Sequence, residues 1–420
     1  MLRTEPDKVK EAIRKRDMVL DDVVDQILAI DTERRSLLSQ VETLKAEQNA
    51  ASKKIPQLKK EGGDVSSLMA EMKALSAKIK EDDVTVSALE EKQKELLLCL
   101  PNLPDSDLEG GGKENNKPLH YFGEQPTFDF EAKNHVELCE SLGLIDYERG
   151  AKLAGNGAWI YRGMGARLEW ALLNYFISEH LKDGYELILP PHMLNYECGY
   201  VAGQFPKFGD EVYKIENPTS ADKKFMLPTA ETALVNLHRG EILSESDLPR
   251  KYAAYTPCYR REAGSYRAEE RGMIRGHQFN KVEMVQYTTA EGSDAAFEEL
   301  VGKAERLMQG LGLHYRLSKL AAGDCSFSMA RTYDIEVWIP SMQIYKEVSS
   351  ASNARDYQAR RGGIRYRDAD GKLNFVHTLN ASGLATSRVF PAIVEQFQNA
   401  DGSVTVPEVL RPMVGTDVIR

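Results

Sequence analysis

The sequence lacks the features that mark membrane, secreted and zinc-binding proteins. No apolar run approaches the roughly 18 residues that span a bilayer, and the first residues, MLRTEP, lack the apolar stretch of a signal peptide. The five cysteines are scattered and form no CxxC pair, which disfavours structural zinc and suits reduced thiols. We therefore expect a cytoplasmic protein without zinc.

The sequence also lacks an excess of positive charge and the common nucleotide-binding loops. Its 54 Lys and Arg residues against 64 Asp and Glu residues give a formal net charge of −10. This balance excludes a protein whose whole surface is basic and binds nucleic acid, but it does not exclude a local basic patch. No GxxxxGK[ST], HExxH or GxSxG motif is present. Any nucleotide chemistry must therefore use side chains on strands.

The first hundred residues contain no Trp, Tyr or Phe. Apolar residues recur there in a 4-3 spacing over 37–58 and again over 68–100, with two glycines between the runs. The pattern predicts a coiled-coil hairpin of two antiparallel helices, roughly 50 Å long, after a short helix at 6–16. Such hairpins usually serve dimerisation or spacing. The tip KKIPQLKK at 53–60 has four lysines and no acid, which suits binding to the backbone of an RNA. A helix face whose charges are merely solvated is the alternative.

The rest of the chain contains all of the aromatic residues. Helical periods are found at 164–181, 293–311 and 385–398. Strand patterns are found near 185–189, 252–262, 277–287, 333–339, 343–350 and 373–379. Several strands look hairpin-connected, which predicts an α+β fold with an antiparallel sheet flanked by helices. The predicted divisions are a helical domain at 1–105, a linker at 106–120 and a second domain at 121–420.

The segment from 258 to 283 is the richest in chemistry. Between 260 and 281 it carries six Arg or Lys residues and three acids. If both arms are strands, alternation places Arg260 with Glu262, and Phe279 with Lys281 and Glu283. Such side chains on a buried face cost stability unless they meet a partner. The arrangement suits an extended ligand with a flat ring at one end and a cation at the other. A surface hairpin with solvated charges is the plainer alternative.

The EVSS stretch at 347–350 offers a carboxylate and hydroxyls for Mg²⁺ beside phosphates. Strict alternation would place Glu347 and Ser350 on opposite faces, so their joint use requires a bend near Ser349. An exposed strand with capping serines is the alternative. This stretch alone does not favour the Mg²⁺ site over the exposed strand.

Two further stretches combine a helix start with charged residues. Arg388 is expected near the start of the last long helix, where the helix dipole disfavours a cation. An anionic ligand would explain its position, and so would a simple surface arginine. The PTAE turn at 228–231 suits a helix start capped by Thr229, with Glu231 in the first turn.

Together these segments resemble a seryl-tRNA synthetase of the bacterial type over essentially the whole chain. The matching pieces are PTAE at 228–231, YRREAGS at 259–265, RGHQFNKVE at 275–283, TYDIEVW at 332–338, EVSS at 347–350, YQARR at 357–361 and GLATSR at 383–388. The resemblance implies a class II synthetase catalytic domain behind a tRNA-binding coiled-coil arm, and a homodimer. It also implies a serine–tRNA ligase that uses ATP and Mg²⁺, forms seryl-adenylate, and transfers serine to tRNA(Ser) and tRNA(Sec).

The resemblance also implies roles for individual residues. The catalytic residues are Arg260 and Arg388. The residues that contact ATP are Arg260, Arg261, Glu262, Phe279, Glu347, Val348, Ser349, Ser350 and Arg388, with Glu347 and Ser350 also binding Mg²⁺. The residues that contact serine are Thr229, Ala230, Glu231, Arg260, Glu283, Asn380 and Ser382. The residues that contact tRNA are Lys53, Lys54, Lys59 and Lys60.

Some positions depart from the family pattern. Arg261 stands where the family usually has Ser, Arg331 replaces the usual Lys, and Thr386 with Ser387 replaces the usual Val-Gly. These departures leave open a paralogue that serves a specialised biosynthetic pathway. A non-enzymatic RNA-binding or scaffold protein is a third hypothesis, against which the retained ligand-binding side chains argue.

Overall fold

The structure is a computed structural model that describes residues 1–216, 223–262 and 272–420. Its contacts separate two compact units, Met1–Arg14 with Met18–Pro101, and Lys15–Asp17 with Asn102–Arg420. The finer domain and linker boundaries at 105 and 120 stay predictions. Parts of the predicted pattern lie outside the described residues, namely 263–265, Arg267, Glu269, Glu270, Arg271 and the side chain of Lys59.

The first unit is the predicted helical hairpin. Its helices are α1 (Pro6–Arg14), α2 (Asp21–Lys60) and α3 (Ser66–Leu98). Side-chain pairs between Arg34 and Glu90 and between Lys45 and Asp83 require that α2 and α3 run antiparallel. All residues of the two predicted 4-3 runs are buried or half-buried, as expected of a narrow apolar seam. The hairpin is therefore confirmed, and the short first helix ends two residues earlier than predicted.

The second unit alternates helices and strands. Its helices are α4 (His135–Ser141), α5 (Tyr147–Ala154), α6 (Gly163–Lys182), α7 (Tyr196–Ala202), α8 (Glu231–Leu234), α9 (Ser293–Leu311), α10 (Tyr357–Gly362), α11 (Thr386–Gln396) and α12 (Arg411–Val414). Its strands are β1 (Lys117–Phe122), β2 (Ile145–Asp146), β3 (Ile160–Tyr161), β4 (Glu186–Leu187), β5 (Met193–Asn195), β6 (Lys214–Ile215), β7 (Lys224–Met226), β8 (Ile242–Ser244), β9 (Arg250–Tyr259), β10 (Gln278–Thr288), β11 (Tyr315–Lys319), β12 (Arg331–Ile339), β13 (Ile344–Arg355), β14 (Arg365–Arg367), β15 (Leu373–Phe375), β16 (His377–Ala385), β17 (Val404–Thr405) and β18 (Val418–Ile419). None of the helices within the described ranges has the length and apolar character that a bilayer crossing demands.

Eight strands form the central sheet, in the order β1-β11-β12-β13-β16-β10-β9-β4. The neighbours pair antiparallel from β1 to β9, and the edge strand β4 joins β9 in parallel. The predicted antiparallel α+β fold is thus confirmed. The strand predicted at 373–379 is two strands, because Phe375 pairs with Arg365 in a small sheet, whereas His377 already pairs with Thr288 in the central sheet.

Alternation along β10 separates the core of the unit from its polar face. Val282 and Met284 belong to the main apolar core, together with Phe176 of α6, Phe297 of α9 and Phe390 of α11. Glu283 lies between the two apolar residues and its side chain therefore points to the opposite face. This face of the sheet holds most of the residues that the sequence singles out.

Candidate functional site

The end of β9 brings the first two candidate residues together. The backbone N–H of Arg260 donates to the carbonyl of His277 at 2.9 Å, so the two strand arms stay paired just beyond β9. The Arg260 guanidinium lies over the Phe279 ring, 5.2 Å from its centroid. Its Nε donates to the carbonyl of Pro228 at 3.2 Å. Arg260 therefore stands between a flat aromatic surface and the turn that begins α8.

Glu262 reaches this region by a different route from the predicted one. The expectation that Arg260 and Glu262 share a strand face is wrong, because β9 ends at Tyr259. Glu262 has φ +49°, in the left-handed region, where strand alternation no longer applies. Its carboxylate accepts a hydrogen bond from Nη1 of Arg275 at 2.9 Å. This ion pair joins the two ends of the segment between β9 and β10.

Arg261 points toward a neighbouring segment. Its backbone N–H donates to the carbonyl of Glu211 at 2.9 Å, and Nη1 donates to the carbonyl of Asp210 at 3.0 Å. The side chain is exposed. The departure from Ser at this position is therefore accommodated at the surface, and the ATP contact implied for Arg261 stays a prediction.

A buried triad of Lys281, Glu283 and Thr229 forms the other end of the site. Nζ of Lys281 lies 2.6 Å from Oε2 of Glu283, and the two side chains are 7% and 1% exposed. The same Nζ donates to Oγ1 of Thr229 at 2.9 Å, and the Thr229 hydroxyl donates to Oε2 of Glu283 at 3.1 Å. The Glu231 backbone N–H donates to Thr229 Oγ1 at 3.2 Å. The prediction that Thr229 caps the helix is wrong by one residue, because Ala230 is the N-cap of α8, whereas Glu231 does lie in the first turn.

Glu231 supplies a second carboxylate to the same pocket. Burial and the neighbouring Glu283 raise the pKa of Glu231 to about 7. Nε2 of Gln358, on α10, donates to Oε1 of Glu231 at 2.8 Å, and the Thr378 hydroxyl donates to Oε1 of Gln358 at 2.6 Å. Gln358, itself held by Thr378, thus fixes the orientation of the Glu231 carboxylate. Ala230, at the N-cap of α8, is fully buried.

The neighbouring strand β16 places two polar residues against Glu283. Ser382 lies directly opposite Glu283 in the β10–β16 register. Nδ2 of Asn380 donates to Oε1 of Glu283 at 3.4 Å. The carbonyl of Ser382 accepts from the hydroxyl of Ser349 at 2.5 Å. The residues predicted to contact serine therefore lie close together. The hydroxyl of Ser349, in contrast, is used in a bond to the backbone of the neighbouring strand.

A bulge in β13 supplies the bend that the EVSS stretch required. The pairing of β13 with β12 shifts by one residue at Val348, which points into the core. Asp334 lies opposite Ser350, and Glu336 lies opposite Glu347. Because opposite residues share a face, and Asp334 and Glu336 are two residues apart, Glu347 and Ser350 lie on one face.

The resulting group of oxygen atoms fits a magnesium ion. Ser350 donates to Oδ1 of Asp334 at 2.7 Å, and burial together with the neighbouring Glu347 raises the pKa of Asp334 well above its usual range. The Glu347 side chain is 45% exposed. Within the described ranges, no group of three His, Cys, Asp or Glu side chains is arranged to bind a metal. A carboxylate and a hydroxyl match Mg²⁺, which usually keeps several waters and phosphate ligands.

Arg388 reaches the Glu347 region of the site from α11. Nη1 of Arg388 donates to the carbonyl of Glu347 at 2.7 Å and lies 3.7 Å from its Oε2. Nε points toward the carbonyl of Ile274 at 3.5 Å. An arginine in the first turn of a helix is thus held by backbone carbonyls, and its guanidinium faces the carboxylate that is predicted to bind Mg²⁺.

Three positioning residues escaped the sequence reasoning. In the sequence, Gln358 stands out only as part of the YQARR match. Glu169, buried on α6, accepts from Asn280 Nδ2 at 2.7 Å and from the Thr386 hydroxyl at 2.6 Å, and burial raises its pKa to about 7. No local pattern links these positions. Lys281 was placed on the correct face by alternation but received no role.

The lysines at the hairpin tip are solvent-exposed where they are described. Lys53, Lys54 and Lys60 are all exposed near the end of α2. The side chain of Lys59 lies outside the described residues. Contact of these lysines with tRNA stays a prediction at this point.

Comparison with known proteins gives independent evidence on the family of the chain. Residues 1–104 match the seryl-tRNA synthetase N-terminal domain, and residues 213–397 match the tRNA synthetase class II core domain (G, H, P, S and T). A serine–tRNA ligase 2 of Clostridium acetobutylicum is 63% identical over 421 residues, which cover 99% of this chain and 98% of the relative. A serine–tRNA ligase of Petrotoga mobilis is 47% identical over 439 residues, covering 100% and 98%.

Solved structures give the same result in three dimensions. The seryl-tRNA synthetase of Pyrococcus horikoshii, complexed with ATP, superposes with a TM-score of 0.94 at 33% identity, covering 100% of this chain and 98% of that one. A cytoplasmic serine–tRNA ligase of Naegleria fowleri in complex with AMP gives a TM-score of 0.87 at 28% identity, covering 99% and 95%. The likeness therefore extends over both units.

Proposed function

Since the chain belongs to the seryl-tRNA synthetases, and is thus a serine–tRNA ligase, we propose that it activates L-serine with ATP to seryl-adenylate and transfers the seryl group to the 3′-terminal ribose of tRNA(Ser). The observation that carries the residue assignment is the position of Arg260. Its guanidinium lies between the Phe279 ring and the turn at Pro228, which leads to Thr229 and Glu231. A ligand that extends from Phe279 to Glu231 would place its central charged group at Arg260.

The ATP half of the site follows from this placement. Phe279 offers one face to the adenine ring and Arg388 offers a guanidinium to the other, with Glu262 as acceptor for the adenine amino group. Arg260 binds the α-phosphate through its planar fork of donors. Glu347 and Ser350 would hold Mg²⁺, which supplies charge neutralisation at the phosphates.

The serine half uses the pocket of α8, β10 and β16. Glu231 binds the substrate ammonium, and Glu283 with Ser382 binds the substrate hydroxyl. Alanine and glycine lack the hydroxyl and would leave these buried groups unpaired, which disfavours them. Arg260 binds the serine carboxylate as well as the α-phosphate, so one guanidinium brings the two reacting groups together.

The chemistry requires no nucleophile from the protein. The serine carboxylate attacks the α-phosphate with loss of pyrophosphate, and the terminal ribose hydroxyl of the tRNA then attacks the adenylate. Positioning of the two reactants and stabilisation of the developing phosphate charge supply the rate. The direct test is ATP–pyrophosphate exchange with each of the twenty amino acids. Exchange with serine alone supports the proposal, and exchange with none would overturn it.

A specialised paralogue is the second candidate. The relative in Clostridium acetobutylicum carries the number 2 in its name. Two of the departures in this chain have structural partners: Arg331 pairs with Asp105 at 2.8 Å, and Thr386 donates to Glu169. Neither residue is one of the proposed ligand contacts, so the departures do not point to another amino acid. Deletion of the gene separates the candidates, because a sole translational enzyme is essential.

A homodimer in the cytoplasm fits the same proposal. Trp170 on α6 and Met413 on α12 are both exposed and line one cleft. Large exposed apolar side chains that lie together usually mark an interaction surface. A second copy of the chain is the partner that the family assignment favours.

The hairpin tip is expected to bind the tRNA backbone. Reversing the charge of Lys53, Lys54 and Lys60 to Glu should raise KM for tRNA(Ser) by about tenfold or more at low salt and flatten the salt dependence of charging, because phosphate contacts release counterions. Pyrophosphate exchange should not change. The same assay with tRNA(Sec) tests whether the arm serves a second tRNA. An unchanged KM for tRNA would remove the tip from the proposed interface.

Serine recognition should depend on pH through Glu231. With its pKa raised to about 7, Glu231 is largely protonated at pH 6 and largely ionised at pH 8. Only the ionised form pairs with the serine ammonium, so kcat/KM for serine at saturating MgATP should fall roughly tenfold from its plateau to pH 6. The profile should flatten in Glu231→Gln, which has no proton to lose at this position. A flat wild-type profile between pH 6 and 8 would contradict this role.

A further inference from the structure

Without Lys281, the proposed serine pocket would hold one more charged group than serine itself requires. It contains two carboxylates, Glu231 and Glu283, and the guanidinium of Arg260. A zwitterionic amino acid brings one ammonium and one carboxylate. Arg260 and Glu231 already complement these two charges, so Glu283 would be an uncompensated buried anion. Such a group is strongly unfavourable and attracts a proton or a cation.

Lys281 removes this imbalance. Its Nζ lies 2.6 Å from Oε2 of Glu283, and both side chains are almost completely buried, which makes the attraction between them strong. The pair lies on one face of β10 because the residues are two positions apart. With Lys281 and Glu283 counted as a neutral pair, the remaining charges of the pocket match those of a zwitterion with a neutral side chain.

Thr229 links this pair to the rest of the pocket. Its Oγ1 accepts from Nζ of Lys281 at 2.9 Å and from the backbone N–H of Glu231 at 3.2 Å. The hydroxyl proton is therefore directed to Oε2 of Glu283, 3.1 Å away. Oε2 is thus bound by two donors, while Oε1 accepts the longer bond of 3.4 Å from Asn380, the one donor to it among the described residues. Oε1 is therefore the oxygen with the capacity to accept a further hydrogen bond from a substrate hydroxyl.

We propose that Lys281 is a specificity-determining residue that keeps Glu283 as a hydrogen-bond acceptor for a neutral side chain and excludes amino acids whose side chain carries an ammonium group. The assignment rests on the proposed serine site. The two carboxylates then have different roles: Glu231 pairs with the α-ammonium, and Glu283 accepts a hydrogen bond from the side-chain hydroxyl. The excluded class is represented by 2,3-diaminopropionate, in which an ammonium replaces the hydroxyl of serine.

The test is pyrophosphate exchange in Lys281→Met, with serine and 2,3-diaminopropionate compared near pH 6, where the side-chain amine of the analogue is charged. The methionine keeps the length and apolar stem of the lysine without its charge. We expect kcat/KM for serine to fall by about tenfold or more, because Glu283 loses a buried charged partner. We expect the ratio of kcat/KM for the analogue to that for serine to rise at least tenfold, and KM for ATP to stay within about twofold.

A control removes another lysine of the same sheet, whose ion pair with a residue of α9 is only partly buried. Lys251 on β9 bonds Glu299 at 2.7 Å, away from the pocket. Lys251→Met should leave the substrate ratio unchanged even if it lowers stability. A merely structural Lys281 predicts that the two variants behave alike, with no change of ratio in Lys281→Met, and that result would overturn the proposal.

A second measurement needs only the wild-type enzyme. As pH rises, 2,3-diaminopropionate loses one of its two ammonium protons, and a form with the α-ammonium and an uncharged side-chain amine becomes available to the pocket. The ratio of its kcat/KM to that of serine should then increase between about pH 6 and 8, and a decrease would show that Glu283 binds cations despite Lys281. If the wild-type enzyme shows no exchange with serine, the proposed function itself fails, which is distinct from an unchanged ratio.

Discussion

Replacing Arg260 with alanine should lower kcat/KM for serine-dependent pyrophosphate exchange by about 10²–10³-fold, since charge-assisted contacts to a developing phosphate charge are worth this much. The structure places Arg260 over Phe279 and against the Pro228 carbonyl, which is the junction of the two proposed half-sites. The variant should lose affinity for both ATP and serine, because one guanidinium contacts both. Arg260→Lys should recover only part of the rate, since an ammonium cannot form the bidentate contact.

The control for this prediction lies on the same strand. Arg250 is at the opposite end of β9 from Arg260, and its Nη2 lies 3.5 Å from Oδ2 of Asp247. Arg250→Ala should keep exchange within about twofold of the wild type, as surface ion pairs contribute little. Steady-state pyrophosphate exchange, with the ATP and serine concentrations varied separately, gives the KM for each substrate. A loss below tenfold in Arg260→Ala would remove Arg260 from the phosphate contact.

Periodicity in the sequence located those parts of the fold and site that obey a regular repeat. The 4-3 spacing from Leu37 and from Leu68 predicted the hairpin, because two long helices can bury only such a stripe. The two-residue period along β10 placed Phe279, Lys281 and Glu283 on one face, and the structure agrees. These features depend on backbone geometry that continues unchanged over many residues.

The parts that the sequence did not predict depend on a break in the repeat or on a distant residue. Glu262 adopts a left-handed conformation, which alternation cannot foresee. The bulge at Val348 brings Glu347 and Ser350 to one face, and the sequence could state only that a bend was needed. Gln358 acts on Glu231 from a helix 127 positions along the chain, and only the tertiary fold creates that contact.

The stability of the second unit should depend on one buried carboxylate. Glu395 on α11 is completely buried. It accepts from the backbone N–H and Nδ1 of His135 at 2.9 and 2.7 Å, and from the backbone N–H and hydroxyl of Ser341 at 2.8 Å each. These bonds connect α11, which carries Arg388, to the start of α4 and to the β12–β13 turn.

Glu395→Ala should therefore lower the free energy of unfolding by about 3–5 kcal/mol, because four donors lose a charged acceptor inside the unit. Thermal unfolding should show a Tm lower by roughly 5–10 °C, given the size of the unit. Glu395→Gln keeps one acceptor oxygen and should lose less, whereas the exposed Glu298→Ala on α9 should change the free energy by no more than about 0.5 kcal/mol. A Glu395→Ala protein within about 1 kcal/mol of the wild type would mean that water replaces the carboxylate. The position of Arg388 would then rest on its bonds to the carbonyls of Glu347 and Ile274 and on the packing of α11.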